Sequence, residues 1–184
     1  KELQGYISED SELSQMILIS QSREKLKNKR TDGLIKELTD GLSKETHRND
    51  ILLLRARAYL QQEKPDTDNA STDLEQILMN DANDTQARVL LASIKTSVGE
   101  FRISKQHYLK AIVGLEEKKK KTELFPRSHQ RDLYLTSIRD NLKNLAEEIS
   151  KLDNLMSTTA SKIIENAKIN SAEARKKFDE KIAA

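Results

Sequence analysis

Apolar residues recur at intervals of three and four along most of the chain, a spacing that predicts amphipathic helices. In the N-terminal part this pattern predicts one helix over residues 11–28 and a second over 32–43. We interpret residues 1–49 as a helix pair that is either a degenerate repeat or an N-terminal cap. The apolar positions of its two helices are Leu13, Met16, Ile17 and Ile19, followed by Leu34, Ile35, Leu38 and Leu42.

The middle of the chain matches itself when it is shifted by 34 residues, and a fixed period of this length is typical of helical repeats. We expect Asp50 and Asp84 to cap the first helix of each unit by accepting backbone N–H bonds. Small residues at equivalent positions let two helices approach closely, and larger ones fill the gap to the next pair. The equivalent pairs are Ala58 and Ala92, Ala70 and Ser104, Leu74 and Tyr108, Leu78 and Ile112, and the breakers Pro65 and Gly99.

Residues 50–117 resemble the tetratricopeptide repeat (TPR) family, whose unit is a 34-residue helix–turn–helix. The second unit carries the clearer match: Leu91-Ala92, Gly99-Glu100-Phe101, Ser104, Tyr108 and Ala111-Ile112. The first unit has Pro65-Asp66-Thr67 where the family has a Gly-acidic-aromatic turn. The resemblance implies an all-α fold in which two TPR-like repeats stack as a right-handed solenoid.

In the TPR family the first helix of each unit lines a concave groove that takes a peptide or a partner helix. Transferred by position, this resemblance implies a mixed polar and aliphatic partner-binding groove. A chaperone-tail clamp is disfavoured, because it needs an Asn where Leu90 stands. Alternatively, Val89 and Leu90 are core residues between helices. The expected groove residues are Arg55, Tyr59, Gln62, Gln86, Val89, Leu90, Ser93 and Thr96.

Residues 127–184 contain no Gly or Pro, so we expect one long C-terminal helix with coiled-coil character. Its apolar positions alternate steps of three and four, which is typical of a coiled-coil seam. We expect this seam to pair with a partner helix or with a second copy of the chain in a homodimer; alternatively, the helix folds back as a cap. The seam residues are Leu135, Ile138, Leu142, Leu145, Ile149, Leu152 and Met156.

Composition narrows the possible fold classes and partners further. Only five Gly and two Pro occur in 184 residues, which suits long helices better than strands joined by turns. The net charge of +2 gives no global field for nucleic acid, and none is expected as a partner. No apolar run is long enough for a membrane span. The absence of cysteine leaves the compartment open, and we expect a soluble protein of either the cytoplasm or the periplasm. Because the sequence begins at Lys1 with neither Met nor a signal peptide, we interpret it as part of a longer product.

No pattern for catalysis, cofactors or metals is present. His47, His107 and His129 are scattered and do not share the spacing of a helical metal site. The acidic stretch 66–70 lacks the glycine and the bidentate glutamate of a calcium loop. The run Lys118–Lys121 is interpreted as a solvated helix end, which the negative end of the helix dipole favours.

The sequence therefore predicts a non-catalytic, protein-binding scaffold within a larger bacterial assembly. The alternative is a sensory or regulatory module in which the repeats bind a ligand and the long helix transmits the signal. An adjoining membrane span or output domain in the flanking sequence would favour that alternative.

Overall fold

A computed structural model describes residues 2–43 and 47–183. Within these ranges the chain is helical and contains no strand, which confirms the all-α prediction. The helices are α1 (Glu2–Lys27), α2 (Leu34–Gly41), α3 (Arg48–Leu60), α4 (Thr67–Asn80), α5 (Thr85–Ser97), α6 (Phe101–Glu123) and α7 (His129–Ala183). The contacts group these helices into two compact units, Lys1–Arg127 and Ser128–Ala184.

In the first unit, α1 buries a different face from the one expected. Ile19 is buried, but the side chains of Leu13, Met16 and Ile17 are each about half exposed, so the predicted apolar face is wrong. In residues 12–27, the part of α1 whose burial is described, the buried residues lie three or four positions apart along one side of the helix and include two polar ones. They are Gln15, Ile19, Ser22 and Leu26.

Helices α3 to α6 form two successive helix–turn–helix units with TPR-like spacing. The small residues that the repeat placed between helices are Ala58, Ala70, Ala92 and Ser104, and all four are fully buried. Ser104 also satisfies its polar group, because its Oγ lies 2.8 Å from the backbone oxygen of Ala92 and 2.8 Å from Oγ1 of Thr96. Small side chains at these positions let the helices approach, and the apolar residues beside them fill the core.

Two hydrophobic clusters join helices α1 to α5 in the described part of the first unit. One joins α1, α2 and α3 through Leu26, Leu38 and Leu54, and the other joins α3, α4 and α5 through Leu74 and Leu91, among others. Because α3 contributes to both clusters, it connects the N-terminal helix pair to the repeats. Burial of each Leu side chain stabilises the unit by roughly 1.5–3 kcal/mol.

The turns of the two repeats differ in chemistry, as Pro65 and Gly99 suggested. Gly99 has a φ of 80°, and the N–H groups of Gly99 and Glu100 donate to the carbonyls of Thr96 and Lys95, which is a Schellman cap for α5. In the first repeat, the side chain of Asp66 accepts the N–H of Asn69 and caps α4 instead.

The predicted caps of α3 and α5 have different outcomes. Asp84 caps α5, because its carboxylate accepts the N–H of Ala87 at 2.7 Å. The matching prediction for Asp50 is wrong: α3 begins at Arg48, after His47 in a left-handed conformation, and Asp50 lies inside its first turn. There it is 3.4 Å from a guanidinium nitrogen of Arg23.

The second unit is a single helix, α7, of 55 residues. It begins three residues after Pro126 and continues without a break, as the absence of Gly and Pro predicted. The preceding helix, α6, is longer than the repeat requires and ends at Glu123 rather than near 117. Lys and Glu have good helix propensity, so nothing stops α6 before the residues that lead to Pro126.

Candidate protein-binding site

A depression of about 510 Å³ lies on the face of the first unit to which α1, α3 and α5 contribute. We name it the α1–α3–α5 depression. Leu26 and Leu54 are buried residues of the cluster that joins α1, α2 and α3. Leu60 and Leu90 pack against the cluster that joins α3, α4 and α5. The complete lining is Arg23, Leu26, Lys27, Leu54, Arg57, Leu60, Gln61 and Leu90. The depression therefore combines four leucines with three cations and has no acidic residue in its lining.

Arg57 is the least exposed of these three cations. Its pKa is lowered, first because burial disfavours the charged guanidinium and then because Arg23 is nearby, while Asp84 acts in the opposite direction. One N–H of Arg57 donates to Oε1 of Gln86 at 2.8 Å. Among the described residues Arg57 forms no ion pair, so a carboxylate entering the depression would offset its burial.

The structure divides the groove residues expected from the sequence between different surroundings. Leu90 lines the α1–α3–α5 depression, and Gln86 bonds Arg57 at its edge. Arg55 instead points to α4, where its Nε and Nη2 donate to the carboxylate of Asp73 at 2.8 and 2.6 Å. That hydrogen-bonded pair raises the pKa of Arg55 despite its burial. Arg55 therefore joins two helices of the first repeat.

Tyr59 and Gln62 border a second depression, which is formed with α2 and with the turn before α4. Of the other expected groove residues, Val89 is half-buried and Ser93 is exposed. Thr96 is half-buried, and its hydroxyl donates to the carbonyl of Ala92 at 3.0 Å. The expected residues thus do not form one continuous surface, and their role in binding stays a prediction.

Sequence reasoning missed most of the cations and leucines of the α1–α3–α5 depression. Arg23 and Lys27 lie on α1, where no repeat match was available, so only the fold could bring them to Arg57. Arg57 itself lies two positions beyond Arg55 on a helix, and a change of two positions rotates a side chain to another face. The four-residue spacing of Arg23 and Lys27, which places both cations on one face of α1, was the one signal available in the sequence.

The seven seam residues lie along α7 at the expected steps of three and four. Leu135, Ile138, Leu145 and Leu152 are buried, whereas Leu142, Ile149 and Met156 are half-buried. Farther along the helix, Ile163 and Ile164 are both more than half exposed. Association of a helix or of a second copy through this seam stays a prediction.

Residues 2–43 and 47–183 contain neither a candidate membrane span nor a candidate metal-binding cluster. No helix in that part of the chain has a stretch both long and apolar enough to cross a membrane. In the same ranges no three acidic or histidine side chains are grouped so that they could hold a metal ion.

Comparison with known proteins returned structural neighbours only. No protein-family profile matches the chain, and no curated protein matches it either. One similar structure is the NMR structure of the first TPR domain of the human RPAP3 protein, with a TM-score of 0.48, 17% identity, and coverage of 72% of this chain and 95% of that one. Another is the first TPR of Spaghetti (RPAP3) bound to the HSP90 peptide SRMEEVD, with a TM-score of 0.49, 17% identity, and coverage of 72% and 98%.

Proposed function

We propose that the chain is a non-catalytic scaffold that binds a segment of a partner protein in the α1–α3–α5 depression. The observation that carries this proposal is the lining of the depression, in which leucines lie beside three cations and no acidic residue. Arg23 contacts Asp50 outside the lining, whereas Arg57 forms no ion pair among the described residues. Leucine surfaces favour apolar side chains, and Arg57 and Arg23 favour a carboxylate. The expected partner segment therefore places an acidic side chain next to an apolar one.

Two paired variants distinguish this site from the surface expected from the sequence. Arg57→Ala with Leu90→Ala changes the α1–α3–α5 depression, and Tyr59→Ala with Gln62→Ala changes the other depression. None of these four residues is fully buried, so both variants are expected to fold, which circular dichroism will check. Proteins captured from native lysate by the tagged full chain are identified by mass spectrometry and then purified for titration calorimetry.

We expect Arg57→Ala with Leu90→Ala to bind the purified partner at least tenfold more weakly than the parent. Tyr59→Ala with Gln62→Ala should bind it as the parent does. Binding should also weaken as salt concentration rises, because the three cations are partly exposed. The reverse result would assign binding to the Tyr59 and Gln62 surface. Equal binding by parent and both variants would exclude both surfaces.

Cross-linking gives an independent measurement of the same site. The chain has no cysteine, so Gln61→Cys provides a unique attachment point for a photo-cross-linker within the depression. Met79→Cys, on an exposed residue of α4, is the matched control. Cross-links to the purified partner from position 61 and none from position 79 would support the proposed site, and the opposite pattern would contradict it.

A further inference from the structure

The end of α6 and the turn after it combine a run of cations with exposed apolar side chains. Lys118–Lys121 occupy the last turns of α6, and Leu124 and Phe125 follow directly after its end at Glu123. Leu124 is 86% exposed and Phe125 is 66% exposed. We name residues 118–127 the basic–apolar segment.

Positive charge is concentrated in this segment. Within residues 118–127 there are five basic residues and one acidic residue, so the segment carries more positive charge than the +2 of the whole chain. Lys119 pairs with Glu116 at 3.7 Å. Lys118, Lys120 and Lys121 are exposed and form no side-chain ion pair within the described ranges. These three ammonium groups are therefore available to an external anion.

A solvated helix end explains the lysines but not the apolar residues beside them. Leu124 and Phe125 remain mostly exposed, yet they lie next to the cations. The apolar character also continues along α6, where Leu109 and Val113 are 46% and 57% exposed. Steps of four and seven residues place Leu109, Val113 and Lys120 on one side of the helix.

We propose that the basic–apolar segment binds the anionic surface of a lipid bilayer. The lysines would lie among acidic headgroups, to which each nearby cation adds affinity. Leu124 and Phe125 would enter the boundary between headgroups and acyl chains, where apolar side chains leave water. Nucleic acid would also attract the lysines, but it offers no apolar environment for Leu124. The exposed Leu–Phe pair therefore favours lipid, and this surface is separate from the α1–α3–α5 depression.

A fluorescence measurement on the full chain tests insertion directly. Because the protein has no tryptophan, Phe125→Trp provides a unique reporter at the proposed site. Its emission should shift to shorter wavelength with vesicles of phosphatidylcholine and phosphatidylserine, and should not shift with phosphatidylcholine alone. Met79→Trp, at a position that is 83% exposed on α4, is the control and should show no shift with either vesicle. Equal shifts at both positions would indicate non-specific adsorption and overturn the proposal.

Vesicle co-sedimentation separates the charged and apolar contributions. The variant Lys118→Gln, Lys120→Gln, Lys121→Gln should lower partitioning into phosphatidylserine vesicles by about 100-fold at low ionic strength. Its matched control, Lys110→Gln, Lys162→Gln, Lys168→Gln, removes the same charge from other exposed positions and should bind within about threefold of the parent. Leu124→Ser with Phe125→Ser should lower partitioning by at least tenfold while the lysines remain.

Two further results would overturn the proposal. One is an absence of binding by the full chain to phosphatidylserine vesicles at low salt. The other is binding to a DNA or RNA oligonucleotide that exceeds vesicle binding and is unchanged by Leu124→Ser with Phe125→Ser, which would assign the lysines to nucleic acid.

Discussion

The two repeats place the same small residues between their helices but differ in the polar groups beside them. Positions 55 and 73 of the first repeat correspond to 89 and 107 of the second. The first repeat has Arg55 paired with Asp73, whose side chains are 17% and 3% exposed. The second repeat has Val89 and His107, and Nδ1 of His107 is buried without a hydrogen-bond partner among the described atoms.

This difference shows which features of the two repeats follow from the 34-residue period and which do not. Helix spacing follows from small residues at fixed positions, and both repeats satisfy it with Ala58 and Ala92 fully buried. The neighbouring positions are less constrained, because an ion pair and a Val–His combination both fit the same helix separation. The first repeat therefore contains a buried ion pair that the second lacks, and the two repeats should respond differently to equivalent substitutions.

The largest expected effect concerns the Arg55–Asp73 pair. Arg55→Met leaves the carboxylate of Asp73 almost fully buried without its cation, and should lower the free energy of unfolding by roughly 3 kcal/mol. Arg55→Met with Asp73→Leu should recover most of this loss, because no unpaired charge is left. Urea unfolding followed by circular dichroism measures both. Val89→Ala at the equivalent position is the control, with a loss of about 1 kcal/mol. A loss below about 1 kcal/mol for Arg55→Met would mean that the buried carboxylate of Asp73 does not depend on Arg55 as its counter-ion.

A smaller effect is expected at Asp50 and Asp84, which are equivalent in sequence but not in structure. Asp84→Ala removes the acceptor for the N–H of Ala87 and should cost about 1 kcal/mol of unfolding free energy. Asp50→Ala removes long, partly exposed contacts to Arg23 and His47 and should cost less than about 0.5 kcal/mol. The same urea experiment compares the two variants. Equal losses would mean that Asp50 also caps its helix.

The smallest effect is a pH dependence that belongs to the second repeat. Burial, together with Arg88, Lys110 and Lys95, lowers the pKa of His107 below its ordinary value of 6.5, and Glu75 acts in the opposite direction. The unfolded chain therefore binds a proton at pH values where the folded chain does not. This contribution to stability is complete above about pH 6.5 and is lost progressively as the pH falls below that value.

The variant His107→Gln isolates this titration, because His47 and His129 remain in both proteins. Thermal unfolding measured from neutral to mildly acidic pH should show a smaller loss of stability in the variant than in the parent. Parallel pH profiles for the two proteins would exclude His107 as the source.

The sequence did not reveal most of the residues that line the α1–α3–α5 depression. Position-by-position transfer from the TPR resemblance selected Arg55 and Tyr59 on α3, but Arg55 bonds Asp73 and Tyr59 borders the second depression. Leu90 was selected and does line the α1–α3–α5 depression. The rotation of each helix about its axis decides which neighbouring residues share a face. The pattern of apolar residues does not reveal that rotation.

The sequence by itself determined the all-α class, the 34-residue period and the fully buried small residues, because each depends on local spacing. It also determined the unbroken helix after Pro126, because that segment has no helix breaker. It also determined the cap at Asp84, since capping involves a backbone group only three residues away. Tertiary structure alone decided which face of α1 is buried, where Arg55 finds its counter-ion and how Arg23 and Lys27 come to lie near Arg57. These outcomes depend on how one helix is rotated against another, and that rotation is set by the packing of all side chains at the contact.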